Sequence, residues 1–532
     1  MRFDRRLEYA ILFAILVLGG GLRLYGLRDA GVTHLDDLRA YTGPEIIEVL
    51  SARDVPLARR VANAHRISID GTGARPALAW LLLVPATLGF SSIGDLYVPF
   101  ALCGVLTVLA VWILCRRWFD VATAAYAALW LAVNAAHVNY SRSALPPTPA
   151  MTLMVIGLLV LSERDDTSAL SRRRLFVTGW YFAFAAALHP AYLVYTLAPV
   201  LWVVRIVLRQ RLKVALVVGS LIRSTGLLIA PTAILLALYD TPRAIAELLR
   251  GHFEAPALLY LDELWRLFNS PTVYGTHEGF LFWPRYLLAS EGVVGFGIIV
   301  IALLGGLALH KTDSERDRIA FLLIWLVAPL VVFSGWPNLN SYGRLYAPLL
   351  PALACLVGLG TSRILSAISR HVRSTAAIAY ALVAVLLAST GLLASSPMIA
   401  FPGREPAVGR YMRQNSLTQT MAFFRTDVRA LTGIGVHLVS EPGDVNRIRC
   451  QRETDLFLLS PAAFSYVLLH ENYLFQDLKL EPVFTYPNPY SVPGRLMEGE
   501  VGIPRDFRRA VLTEARFAKL GLFRIGRSRD CY

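Results

Sequence analysis

Two adjacent carboxylates, Asp36 and Asp37 in Thr33-His34-Leu35-Asp36-Asp37-Leu38-Arg39-Ala40-Tyr41, follow directly on the first long apolar stretch of the chain. A carboxylate where hydrocarbon gives way to water can take a proton from an incoming hydroxyl if its pKa stays below ambient pH, and Arg39 or Arg75 would favour the ionised form. The plain structural alternative is that Asp36 or Asp37 caps the polar helix that follows. Other polar groups stand out against the apolar background in the same way: Arg75-Pro76, Ser141-Arg142-Ser143-Ala144-Leu145-Pro146, His189-Pro190, His277-Glu278 and Ser341-Tyr342-Gly343-Arg344. Arginine suits a phosphate through charge-assisted, forked hydrogen bonds. It equally suits a lipid surface, where it snorkels to headgroups. The choice depends on whether these residues share one face of a membrane.

Of 532 residues 55% are hydrophobic and 17% charged, and apolar runs of spanning length recur almost to residue 395, so the chain reads as a polytopic α-helical membrane protein. The net charge of +14 resides largely in short Lys/Arg loops between apolar runs, the pattern of positive-inside topology rather than of a groove for phosphodiester. Nucleic-acid binding is excluded. Arg2, Arg5 and Arg6 precede the apolar stretch 8–22, which ends in Gly-Gly-Gly-Leu-Arg with no cleavage site recognisable, so the N-terminus reads as an uncleaved, cytoplasmic signal anchor. The five cysteines show no metal spacing: Cys103, Cys115 and Cys355 lie in or at the ends of apolar runs, Cys450 and Cys531 in the C-terminal region.

The elements that must position the polar groups follow from run length. The first span covers about 8–26 and leads to a polar segment, 27–75, whose amphipathic stretch 44–61 is expected on the membrane surface. The run 76–90 is about 15 residues, too short for a hydrocarbon core of roughly 30 Å at about 1.5 Å per residue, and reads as juxtamembrane or re-entrant. Further spans are then expected at about 97–115, 121–139, 147–162, 175–188, 191–208, 214–239, 284–309, 319–335, 343–362 and 375–395, eleven in all. With that count every basic loop falls inside. Asp36-Asp37 in the outer loop 27–96, Arg75, Arg142, His189, the outer loop 240–283 and Arg344 all fall outside. A crossing at 76–90 would reverse this. After Ser395 the composition becomes aqueous, with short strands such as Leu456 to Leu459 and helix-like runs such as 506–519, so 396–532 is expected to be a soluble mixed α/β domain on the outer face. In an oxidising compartment Cys450 and Cys531 would be free to pair.

Transfer of a sugar from a lipid phosphate asks for a carboxylate to accept the acceptor's proton, cations for the phosphate leaving group, and a cavity open to the bilayer. Over about 1–395 the ordered motifs resemble the membrane glycosyltransferases of GT-C type, specifically glycosyltransferase family 39, which holds the protein O-mannosyltransferases and lipid A aminoarabinose transferases. The motifs are Asp36-Asp37 with Tyr41, Arg75-Pro76-Ala77-Leu78, Ser141 to Pro146, and Tyr342-Gly343-Arg344-Leu345-Tyr346-Ala347-Pro348-Leu349-Leu350-Pro351. The resemblance implies inverting transfer from a polyprenyl-phosphate-linked sugar donor to a protein, lipid or glycan acceptor, at the outer face of a cell inner membrane among membrane lipids. By the same resemblance Asp36 is the catalytic base with Asp37 beside it, and Tyr41, Arg75, Arg142, His189, His277, Glu278, Tyr342 and Arg344 bind substrate. No cofactor is required, and a divalent metal is optional because polyprenyl phosphate already leaves readily beside arginine. Two positions depart from the family: Asp37 stands where it has Glu, and His189 where it often has Lys. A transporter or flippase for a lipid-linked sugar and a catalytically inactive scaffold are the alternatives. The first would be expected to carry polar or interrupted spans at the bilayer midplane.

Overall fold

Apolar length and its interruptions decide the architecture. The computed structural model describes residues 4–27, 42–72, 75–90, 93–162, 171–209, 214–249, 269, 279–309, 312–336, 343–371, 376–400, 405–422, 434–439, 454–459, 480–487 and 519–525. Helix α1 covers Arg5–Leu24, α2 Thr42–Ser51, α3 Leu57–Thr72, α4 Pro76–Thr87, α5 Val98–Trp118, α6 Val121–Val133, α7 Ala135–Ser141, α8 Pro147–Leu161 and α9 Arg172–Leu188. They are followed by α10 Leu197–Arg209, α11 Val214–Leu249, α12 Phe282–Ala308, α13 Asp313–Gly335, α14 Leu350–His371, α15 Ala376–Ala400 and α16 Glu405–Gln414.

Each of the eleven runs expected to span is helical. Among the described residues eight helices are long and apolar enough to cross a membrane, or nine if α6 and α7, bent by 60°, count as one span. The other two expected spans are α8 and α9, with 15 and 17 residues, short of the roughly 20 that a crossing takes. Arg172, Arg173 and Arg174 also begin α9. Helix α4 has only 12 residues, as its composition required. The amphipathic stretch 44–61 differs from expectation: it is split between α2 and α3, because Pro56 lacks an N–H and disfavours helix in the residue before it.

The bundle packs around α14, whose buried face runs from Leu350 to Leu359. Its glycines let backbones approach. A Cβ on Gly358 would press on the Thr123 carbonyl of α6, and one on Gly360 on the Ala302 carbonyl of α12. Ion pairs gather several basic segments at one end. Arg363 of α14 pairs with Glu315 of α13 and, at 3.3 Å, with Asp120, which also caps α6. Arg205 of α10 meets Asp317 at 2.8 Å, and the Arg318 guanidinium donates to the Trp118 carbonyl. The segments at 118–120, 205, 315–318 and 363, read as part of one basic face, are therefore neighbours in space.

Among the described residues beyond α15 lies a five-stranded mixed sheet with strands β1 (Gln419–Ala422), β2 (Gly435–Leu438), β3 (Leu456–Leu459), β4 (Leu480–Pro487) and β5 (Lys519–Ile525) in the order β2-β1-β3-β5-β4. β1 runs parallel to β2 and β3, and β5 antiparallel to β3 and β4. Val408 and Met412 of α16 close its core against Met421, Leu458 and Leu522. The run Leu456 to Leu459 is a fully buried strand, as its apolar composition implied.

Candidate functional site

Helices α6 and α7 are one apolar run in the sequence, yet the chain turns between them at Asn134 (φ −58°, ψ 124°). The turn frees carbonyls at the end of α6 and N–H groups at the start of α7, in surroundings where an unmet backbone group is costly. Arg23, near the end of α1 and wholly buried, meets the carbonyls. Its Nη1 donates to Ala132 O at 2.9 Å and Gly19 O at 2.7 Å. Its Nη2 donates to Leu131 O at 3.3 Å and His137 Nδ1 at 2.5 Å, and Nε to Ser141 Oγ at 3.2 Å. A guanidinium carries five N–H groups, so Arg23 is saturated, and by neutral acceptors. Because His137 Nδ1 accepts, the neutral ring carries its proton on Nε2.

The N–H side of the break is met from α6–α7 itself and from α12. Asn134 Oδ1 accepts from His137 N–H at 2.8 Å, while its Nδ2 donates to Glu291 Oε1 at 2.7 Å. The same oxygen accepts from Ala135 N–H at 3.2 Å. Glu291 precedes a second interruption, at Gly292 (φ 71°, ψ 173°) inside α12, a conformation that only glycine adopts without strain. Sequence reasoning missed Arg23, Asn134, His137 and Glu291. The signal was available as polar and charged side chains inside runs otherwise apolar enough to span.

Helix α7 ends at Arg142. Its Nη1 donates to three carbonyls at the end of α1, Leu22 at 3.0 Å, Arg23 at 3.1 Å and Tyr25 at 2.8 Å. A cation is favoured there because those carbonyls are the negative end of the helix. Arg142, expected on phosphate, is thus held at the point where α1 leads towards Asp36 and Asp37.

His189 closes α9 and opens a 3₁₀ segment, Pro190–Thr196, with Nδ1 accepting from Ala191 N–H at 3.2 Å. Its ring lies 5.2 Å from that of Tyr192. The Tyr192 hydroxyl donates to Arg344 O at 3.0 Å and the Tyr195 hydroxyl to Leu345 O at 2.6 Å, so this segment grips the turn Gly343–Tyr346. On the other side of that turn, Tyr140 of α7 and Tyr286 of α12 pair their hydroxyls at 3.2 Å. A Cβ on Gly343 would stand 2.7 Å from the Tyr140 hydroxyl oxygen and 2.5 Å from the Tyr286 ring. His189, Tyr140, Tyr286 and Arg344 are therefore brought to one end of the bundle. Arg75 is buried at the start of α4, where its carbonyl accepts from Ala79 N–H at 3.1 Å. The ring pair Trp80–Phe184, 6.5 Å apart, ties α4 to α9.

Asp36, Asp37 and Tyr41 lie outside the described residues, between the buried Leu27 and Thr42. So do His277 and Glu278, which immediately precede the turn Gly279–Leu281 into α12, and Tyr342, which precedes Gly343. Phe282 and Trp283 at the start of α12 stack around Tyr346, with ring centroids 5.1 and 5.7 Å away. These flanks bring the described neighbours of His277-Glu278 and of Tyr342 together. Cys450 and Cys531 are outside the described residues as well. Among the described residues no three His, Cys, Asp or Glu side chains are grouped to hold a metal ion.

No family model matches the chain, and no curated protein matches it. Solved structures do. ArnT from Cupriavidus metallidurans bound to undecaprenyl phosphate is similar over 89% of this chain and 95% of its own, with a TM-score of 0.51 and 14% identity. Its apo state gives the same score and identity over 90% and 95%. The archaeal oligosaccharyltransferase AglB from Archaeoglobus fulgidus, in complex with an inhibitory peptide and a dolichol-phosphate, is similar at a TM-score of 0.49 and 13% identity over 82% of this chain, which spans 64% of that one. The fold is thus that of the GT-C membrane enzymes, with a small mixed sheet at the C-terminal end.

Proposed function

We propose that this chain is a glycosyltransferase of the family 39 kind, carrying a sugar from a polyprenyl-phosphate donor to an acceptor hydroxyl at the outer face of an inner membrane, with the C-terminal domain on that same face. Asp36 takes the proton as the hydroxyl oxygen bonds to the anomeric carbon. The bond to the phosphate oxygen breaks on the opposite side, so the configuration inverts and polyprenyl phosphate departs with the electron pair. Arg75, His189 and Arg344 hold that phosphate, while Arg142 holds the end of α1 that carries the acidic pair. Asp37, Tyr41, His277, Glu278 and Tyr342 complete the site around sugar and acceptor. The observation that carries this reading is the Tyr192 bridge joining His189 to Arg344, on a fold shared with a protein solved with undecaprenyl phosphate.

Mass spectrometry of envelope glycans and lipids from a deletion strain would name the missing sugar and its acceptor together. With those in hand, Asp36→Asn should lower the transfer rate by on the order of 10²–10⁴ while the protein remains folded, since an amide cannot accept the proton. Activity within a few-fold of wild type would remove Asp36 as the base.

A transporter of a lipid-linked sugar is the second reading. The break at Asn134, with buried Arg23 and Glu291 beside it, is the kind of interrupted, charged span that such proteins use. Against it, Arg23 and the Glu291 oxygen are occupied by the groups that the break itself frees.

A further inference from the structure

Arg23 and Arg142 are exchanged between two elements. Arg23 belongs to α1 and meets the carbonyls of Leu131 and Ala132, which the α6–α7 break leaves open. Arg142 stands at the end of α7 and meets the carbonyls of Leu22, Arg23 and Tyr25, which the end of α1 leaves open. Ser141, next to Arg142, joins the two halves by accepting from Arg23 Nε and donating to the His137 carbonyl at 2.6 Å. Both guanidiniums are buried, and Arg23 directs three of its five donors, and Arg142 its Nη1, at backbone carbonyls, which is an expensive use of charge unless the geometry it fixes matters.

We propose that Arg23 and Arg142 form a crossed latch that positions the transfer site. The latch sets the exit of α1, from which the chain continues to Asp36-Asp37, against α7, which carries Tyr140 to the Gly343–Arg344 turn. Its purpose rests on the glycosyl-transfer reading; its existence as a coupled unit does not. Arg23 has no N–H left for a ligand, and the part of Arg142 that belongs to the latch is Nη1, which holds the end of α1. At Arg23 a forked guanidinium is required because three nitrogens reach five acceptors, so lysine would keep the charge and lose the latch, whereas Arg142 reaches its three carbonyls through Nη1 alone and is tested by removing that nitrogen's charge and reach.

The coupling separates this from two independent helix-end contacts. Hydrogen exchange would be followed in the full chain in detergent for wild type, Arg23→Lys and Arg142→Gln. Amides of 19–27 and 135–146 are compared with those of α14 as a control. The latch predicts a tenfold or greater rise in exchange in both segments for each variant, with α14 unchanged. A rise confined to 135–146 for Arg23→Lys and to 19–27 for Arg142→Gln, or no rise at all, overturns it. For its purpose, undecaprenyl phosphate affinity and the transfer rate in membranes holding their own donors are measured on the same variants. Affinity within threefold of wild type with a rate at least tenfold lower is expected of positioning residues. An affinity loss matching the rate loss would overturn that role. Failure of wild type to bind undecaprenyl phosphate would count against the proposed donor, and the exchange result would still decide the latch.

Discussion

The Tyr192 hydroxyl donates to the carbonyl of Arg344 at 3.0 Å, so a residue three positions beyond His189 fixes the main chain of a turn more than a hundred residues away. The bond uses the backbone of Arg344 and not its guanidinium. With Tyr195 on the Leu345 carbonyl, it makes the segment after His189 a cradle for the Arg344 turn.

Tyr192→Phe should therefore raise the amount of undecaprenyl phosphate needed for half-saturation although no cation is removed. The loss of one such hydrogen bond is worth about 1 kcal/mol, roughly a fivefold change in affinity if all of it is felt at the turn. Tyr195→Phe should act in the same direction. Titration of both purified variants decides the matter: unchanged affinity in each would mean that the turn holds its shape without them.

Arg75→Ala and Arg344→Ala should weaken lipid phosphate binding more than the hydroxyl variants do. A charge-assisted contact in a partly desolvated site is about twice as strong as a neutral one. Lysine should rescue only in part, because a point charge replaces a fork. Donor dependence equal to wild type in both alanine variants would assign these arginines to lipid headgroups instead.

Gly343→Ala tests the packing under Arg344. The new methyl group would meet the Tyr140 hydroxyl and the Tyr286 ring, both buried and held in place by the bond between them. Overpacking of this kind costs about 1–3 kcal/mol, and here it would displace the turn. Thermal unfolding in detergent should show a lower midpoint, and the double variant Gly343→Ala/Tyr286→Leu should recover part of the loss. Recovery of stability without recovery of lipid phosphate binding would show that Tyr286 itself serves the site.

Much of this organisation was legible in the sequence. Run lengths placed all eleven helical runs and set 76–90 apart as too short. The sequence assigned several arginine segments to one face without saying which would touch; Arg363 meets Asp120 and Arg205 meets Asp317. What run length could not reveal is where an apolar run bends. Residues 121–139 read as one straight span, since a single Asn hardly changes the summed hydropathy of the window. The bend depends on partners far along the chain, Arg23 for the freed carbonyls and Glu291 for the freed N–H. Arg142 illustrates a different limit. Its motif and its charge suggested phosphate, and sequence could not reveal that its Nη1 also meets the open end of a neighbouring helix.

The carboxylate at the second interruption supplies the last prediction. Glu291 Oε1 accepts from the Asn134 amide and from Ala135 N–H, and both contacts need only an oxygen with lone pairs. Glu291→Gln retains such an oxygen, so it should keep the break at Asn134, the thermal midpoint and the transfer activity close to wild type. Glu291→Leu removes the acceptor and leaves two buried donors unmet, at about 1–3 kcal/mol each, so its midpoint should fall and α7 should lose protection from hydrogen exchange. A transporter that used Glu291 to carry a proton through the bundle would respond in the opposite order, because glutamine cannot ionise. Loss of function in Glu291→Gln, with its midpoint and its α7 protection intact, would therefore turn the balance from transfer towards transport.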